Sequence, residues 1–193
     1  MEISSGERAA FAKYRTLSAE VNMAKKKTSS LLGLILMAVG IVGAVLAVIG
    51  VFTDWVSYSV ESIIGGGSTP ATLKELADTN DTLSQLGGGL EMFGAMNAFA
   101  YITMVLTVVC AALLVLVKFL KLGILRPITG LAGILTVLSA VLMVVFTIVF
   151  CSKNAGVKIG ELAEGKYVWA IGAILATIGG VLSGVAAVLG RKK

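Results

Sequence analysis

Long apolar runs and shorter polar breaks alternate four times along this chain. Thr28 to Thr53, Met92 to Val117, Pro127 to Ser152 and Tyr167 to Gly190 contain no charged residue. Each run exceeds the roughly 20 residues that an α-helix needs to cross about 30 Å of hydrocarbon. A helix satisfies its own backbone in lipid, whereas a lone strand or an irregular segment does not. The pattern predicts an all-α membrane protein, a bundle of four transmembrane helices. The first run is too long for the apolar part of a signal peptide, lies far from Met1 and precedes no clear small-residue cleavage site. It is read as a retained span.

The pattern changes where the first run ends. Phe52 to Ser62 reads FTDWVSYSVES, with Val56, Tyr58 and Val60 on one parity and Ser57, Ser59 and Glu61 on the other. Period-two alternation predicts a short strand with its apolar side chains packed inward. Tyr167 to Trp169 and Gly156 to Ile159 are the candidate pairing partners, and an irregular exit loop is the competing reading. Trp55 suits a membrane–water interface, and Asp54 is the first charge that must stay wet. Further on, Gly65, Gly66 and Gly67 break the chain. Thr69 as N-cap and Pro70 at the first helical position then predict a short helix over 71–77, with Leu73 and Leu76 on one face. A second short helix is predicted over 81–86, stopped by Gly87, Gly88 and Gly89. So long a connection is often functional; a small cap over the bundle with no further role is the plainer alternative. Asn80-Asp81-Thr82 is a glycosylation triplet, meaningful only in a host that glycosylates.

Composition agrees with the pattern. Of 193 residues, 57% are hydrophobic and 14% charged, against about a quarter charged in soluble domains. Charge placement sets the direction. Twelve of the sixteen Lys and Arg residues fall in 1–27, in 118–126 and in 191–193; the other four are Lys74, Lys153, Lys158 and Lys166. The positive-inside rule places both termini and the short middle loop in the cytoplasm. The resulting order is a cytoplasmic segment 1–27, a first span 28–53, an outer loop 54–91 and a second span 92–117. A cytoplasmic loop 118–126, a third span 127–152, an outer loop 153–166, a fourth span 167–190 and a cytoplasmic tail 191–193 follow, in a cell (plasma) membrane protein. The loop 54–91 holds six acids and one base. The basic ends match topology and anionic inner-leaflet lipid rather than nucleic acid. Within 1–24, Phe11, Tyr14, Leu17 and Val21 share helical spacing, which predicts an amphipathic helix on the inner membrane surface. A disordered tail is the alternative. Met23-Ala-Lys-Lys-Lys also resembles a natural start, which would make the first 22 residues an extension.

Small residues that let backbones approach are the packing signal between helices in lipid. Gly172, Ala176, Gly180 and Gly184 recur every four positions. Gly43, Ala47 and Gly50 do similar work in the first span, Thr103, Thr107 and Ala111 in the second, and Gly130, Gly133, Thr136 and Ala140 in the third. The groove on the fourth span is expected to pack within the bundle, with a second copy of the chain as the alternative partner. Cys110 falls near mid-membrane and Cys151 near the outer end of the third span, too far apart in depth for a disulfide.

Chemistry is sparse. The chain has no His, the commonest general base and metal ligand. None of the four runs holds an ionisable group that would mark an ion pathway. Glu61, Glu75, Asp78, Asp81 and Glu91 lack the fixed spacing of a calcium loop and read as solvated. No enzyme, metal or cofactor is expected. The expected partners are the bilayer and a second copy or another membrane protein.

The layout is four spans, both ends inside, a long first outer loop and a shorter second one. Local text adds Trp55-Val56-Ser57 at the exit of the first span, Arg126 before GLAGILTVLSAV (Gly130 to Val141), and GKYVWAIGAILATIGGVLSG (Gly165 to Gly184). Together these resemble the claudin and peripheral myelin protein superfamily. The resemblance implies a small outer sheet above a left-handed four-helix bundle. The Gly-Leu-Trp segment and Cys pair of the claudin first outer loop are absent here, so it implies the fold rather than claudin-type sealing or pore lining. The expected function is a non-enzymatic interaction or structural role through the outer cap, with Trp55 and Tyr58 as cap anchors. The alternative is a transport or channel component, or an accessory subunit of a membrane complex.

Overall fold

The computed structural model describes residues 31–62, 67–120, 122–155, 157–158 and 163–190. The amphipathic helix expected within 1–24 and the tail 191–193 lie outside the described residues. Among the described residues, four helices are long and apolar enough to cross a membrane: α1 (Leu31–Phe52), α3 (Phe93–Phe119), α4 (Arg126–Lys153, preceded by a 3-10 turn Gly123–Leu125) and α5 (Ile171–Gly190). At about 1.5 Å per residue, even the 20-residue α5 spans about 30 Å. This is a multi-pass membrane protein. Long aliphatic side chains line the outside of the bundle, among them Val105, Leu131 and Ile148, each about half exposed. Small residues and hydroxyls fill the inside.

The described residues between α1 and α3 and between α4 and α5 build a layer at the end of the bundle where α1 leaves and α5 enters. Its sheet has the order β2–β1–β4–β3 and is antiparallel throughout. Strand β1 is Val56–Ser62, β2 is Gly67–Ala71, β3 is the two-residue Val157–Lys158 and β4 is Ala163–Trp169. The alternation in FTDWVSYSVES is therefore a strand, not an exit loop. Tyr58 faces Tyr167 across β1 and β4, so the expected partner at Tyr167 to Trp169 is the right one. Val157 and Lys158 join the sheet too, but against β4 rather than β1.

Three expectations need correcting. Thr69 and Pro70 do not start a helix: both lie in β2, on the sheet edge, where a residue without an N–H is tolerated. The helix α2 starts at Leu73 with Thr72 as N-cap. The Thr72 hydroxyl accepts from Glu75 N–H (3.2 Å), and the Glu75 carboxylate accepts from Thr72 N–H (2.8 Å), a reciprocal capping box. Secondly, the two short helices expected over 71–77 and 81–86 are one helix, α2 (Leu73–Gln85). Within its polar middle, the hydroxyls of Thr79, Thr82 and Ser84 donate to the carbonyls four residues back. Thirdly, the fourth apolar run divides. Tyr167, Val168 and Trp169 belong to β4, and the helix begins at Ile171.

Candidate functional site

Helix α5, the fourth span, packs against α1, α3 and α4, and its small residues explain how. A Cβ added at Gly43 would fall 2.7 Å from both the Gly179 carbonyl oxygen and Ser183 N; one added at Gly50 would fall 2.5 Å from Ala176 N. The α1–α5 seam therefore uses Gly43, Ala47 and Gly50 against Gly172, Ala176, Gly179 and Ser183. Both rows step by four and three, the spacing that keeps two helices in register along a left-handed seam. Gly180 and Gly184 lie on another face. The first meets the Thr103 methyl and Ala140 Cβ, the second the Val137 side chain and the Gly133 carbonyl. A strict four-residue repeat drifts about 40° round the helix at each step, so the predicted groove is shared between α1 and the α3–α4 pair. The alternation of four and three that includes Gly179 and Ser183 was the signal that a fixed four-residue repeat misses.

Hydroxyls tie the same interior together. Thr103 Oγ1 and Ser139 Oγ share a hydrogen bond (2.7 Å) between α3 and α4, and Cys110 Sγ and Thr136 Oγ1 share another (3.1 Å). Ser183 donates to the Thr107 carbonyl (3.2 Å), joining α5 to α3. Among the described residues, all the buried hydroxyls, including Thr129, Thr136 and Thr147, have a partner. Neither cysteine is in a disulfide.

The end layer rests on Trp55, which is 0% exposed. This corrects the placement of Trp55 at the lipid interface: its ring packs in a cluster with Val56, Leu73, Leu76, Phe93 and Phe150 and offers no surface to a partner. The buried ring lies between backbone ties, since Trp55 N–H donates to Ala71 (2.9 Å) and Ala170 N–H donates to the Trp55 carbonyl (3.2 Å). Tyr58 is half-buried, its ring 5.0 Å from that of Tyr167, which in turn lies 5.2 Å from Phe150 of α4. Burial, and then the neighbouring Tyr58, raise the Tyr167 phenol above its usual pKa. The Tyr58 ring also lies over Gly165, where an added Cβ would force that ring to move. An Asn clasp closes the layer: Asn154 after α4 donates to the Glu91 carbonyl (3.0 Å) and accepts from Glu91 N–H (3.1 Å). Asn80 of the triplet accepts from Leu90 N–H (2.8 Å) and holds the 86–90 turn.

The opposite parity of the sheet gives a polar outer face. Ser57 and Ser68 share a hydrogen bond across β1 and β2 (2.7 Å), and Ser59, Lys166, Val168 and Pro70 complete this face. Below the sheet, α2 bridges a gap between the ends of α1 and α3. The gap is a groove of about 430 Å³ with Val51, Phe52, Leu73, Lys74, Asn97 and Tyr101 on its walls. Asn97 Oδ1 itself is buried and has no hydrogen-bond partner among the described residues. Among the described residues, no three metal-ligating side chains group together. Comparison of the sequence with protein-family models and with curated proteins gives no match to either.

Proposed function

We propose that the protein is a non-enzymatic plasma-membrane protein, claudin-like in architecture, that uses its end layer as an extracytoplasmic platform for a neighbouring copy or another membrane protein. Both termini and the loop 118–126 face the cytoplasm in this reading. The supporting observation is the contrast between the two parts of the molecule. The bundle interior is filled by close backbone contact and satisfied hydroxyls, which leaves a stand-alone ion pathway without a lining. The end layer is built on the buried Trp55 cluster and presents a polar outer face on the side away from that core. A scaffold of this kind holds a surface in place rather than moving a solute.

A photo-cross-linking residue at Val168, on the outer face, tests this in native membranes. A discrete protein adduct at Val168, absent from a probe at lipid-facing Leu131, is the expected result. Equal or no protein adducts at the two positions would remove the basis for the reading.

A further inference from the structure

The connector between α3 and α4, at the end of the bundle away from the sheet, is apolar where a loop in water is polar. It reads KFLKLGILR from Lys118 to Arg126. Phe119 is 66% exposed and Ile124 80%, and Leu120 and Leu122 are exposed as well. These side chains make a patch that burial would stabilise, and they continue the lipid-facing surface of α3 and α4.

Helix lengths set the depth of this connector. Helix α5 starts level with Asp54, whose carbonyl accepts from Gly172 N–H. Its 20 residues span about 30 Å, the thickness of the hydrocarbon. Gly190 at its far end packs beside α3: a Cβ added there would stand 2.7 Å from Leu114 Cδ2. Lys118 follows Leu114 by one turn, about 6 Å further out. The headgroup layer on each side is about 5–7 Å thick, so Lys118 stands at the level of the lipid phosphates. Its Nζ lies over Gly33 of α1, where a Cβ would be. Arg126 opens α4 at the other end of the connector and is exposed. Among the described residues, every carboxylate lies in the end layer, from Asp54 to Glu91 or at Glu164 on β4. The described protein therefore supplies Arg126 with no counter-charge.

Bases at phosphate level with exposed apolar side chains between them match an anionic phospholipid surface in both charge and polarity. We propose that the α3–α4 connector lies in the headgroup layer and binds anionic phospholipid, with Lys118 and Arg126 on the phosphates and Phe119, Leu120, Leu122 and Ile124 against the upper acyl chains. The proposal requires only that the four helices cross the bilayer, and stands independently of the platform role.

The full chain in nanodiscs of equal phosphatidylcholine and phosphatidylglycerol provides the test, read by native mass spectrometry of retained lipid. One base near an anionic surface is worth about fivefold in affinity, so phosphatidylglycerol should be retained about fivefold or more over phosphatidylcholine. Arg126→Gln should lower that ratio about fivefold, while Lys74→Gln, a base lost from the end layer, should leave it unchanged; both positions are exposed. A nitroxide on Ile124→Cys, in a Cys110→Ala, Cys151→Ala background, should be reached more readily by oxygen than by a water-soluble nickel chelate. Equal retention of the two lipids, a ratio unmoved by Arg126→Gln or lowered as much by Lys74→Gln, or a nitroxide more accessible to nickel than to oxygen would overturn the proposal. So would a protein adduct in place of a lipid adduct from a photo-cross-linker at Ile124 in native membranes.

Discussion

Gly50 and Gly172 touch backbone to backbone. A Cβ added at Gly50 would stand 2.6 Å from the Gly172 carbonyl oxygen, and one added at Gly172 would stand 2.5 Å from the Gly50 carbonyl oxygen. Backbone atoms of two helices cannot yield as a flexible side chain can. Gly172→Ala should therefore destabilise by about 1–3 kcal/mol, the usual range for overpacking, read as loss of thermal stability in detergent. Gly94→Ala is the control, because nothing lies within 4 Å of its added Cβ; it should stay within about 0.5 kcal/mol of wild type. Gly180→Leu meets Thr103 and Ala140 instead and should disrupt folding as well. Equal effects at Gly94 and Gly172 would mean that α1 and α5 are not in close contact.

Trp55 contributes volume, not a hydrogen bond. Its Nε1 is buried with no partner. Trp55→Ala should cost about 3–5 kcal/mol. Trp55→Phe should recover most of that, since a ring still fills the site and no donor is lost. Thermal unfolding of both variants checks it; a Phe variant as unstable as the Ala variant would assign the indole N–H a role that the packing does not.

The Thr103–Ser139 hydrogen bond should show coupling of about 0.6 kcal/mol, with about 1.7 as the upper end for such pairs in membranes. A double-mutant cycle of Thr103→Val and Ser139→Ala, measured by unfolding in detergent, reads it. Strict additivity would place the two hydroxyls apart.

The capping box gives α2 a pH dependence. Donation from Thr72 N–H and then from the Thr72 hydroxyl holds the Glu75 carboxyl below its ordinary pKa of 4.5. The folded pKa is the lower one, so the contribution is complete above about pH 4.5 and is lost as pH falls through the folded value. Wild type should lose stability relative to Glu75→Gln in that acidic window and not above it. Thr72→Ala should lose about 1 kcal/mol at neutral pH. A constant difference between wild type and Glu75→Gln across the acid range would contradict the box.

Four spans were legible because an uncharged run of 20 or more residues has few other physical readings. The first strand was legible because Val56, Tyr58 and Val60 are coupled to a buried face. Its neighbour β2 was not: Gly-Ser-Thr-Pro-Ala is exposed on an edge, so no apolar alternation marks it. Pro70 misled because an edge strand and a first helical turn both tolerate a missing N–H. Thr72-Leu-Lys-Glu75 carried the true start in plain view. The chemistry of a Trp at a span exit serves lipid or core equally well; for Trp55 only the sheet that folds over it decides. Asn97 and Lys74 lie 23 positions apart in sequence, and nothing in either segment announces that α2 would bring them to one groove.

The proposed function requires the end layer to stand outside the cell, with both termini inside. Leu86, 80% exposed on the turn after α2, is the position to ask. In a Cys110→Ala, Cys151→Ala background, Leu86→Cys should react with a membrane-impermeant maleimide on intact cells. Reaction only after the membrane is opened would put the layer in the cytoplasm and contradict the account.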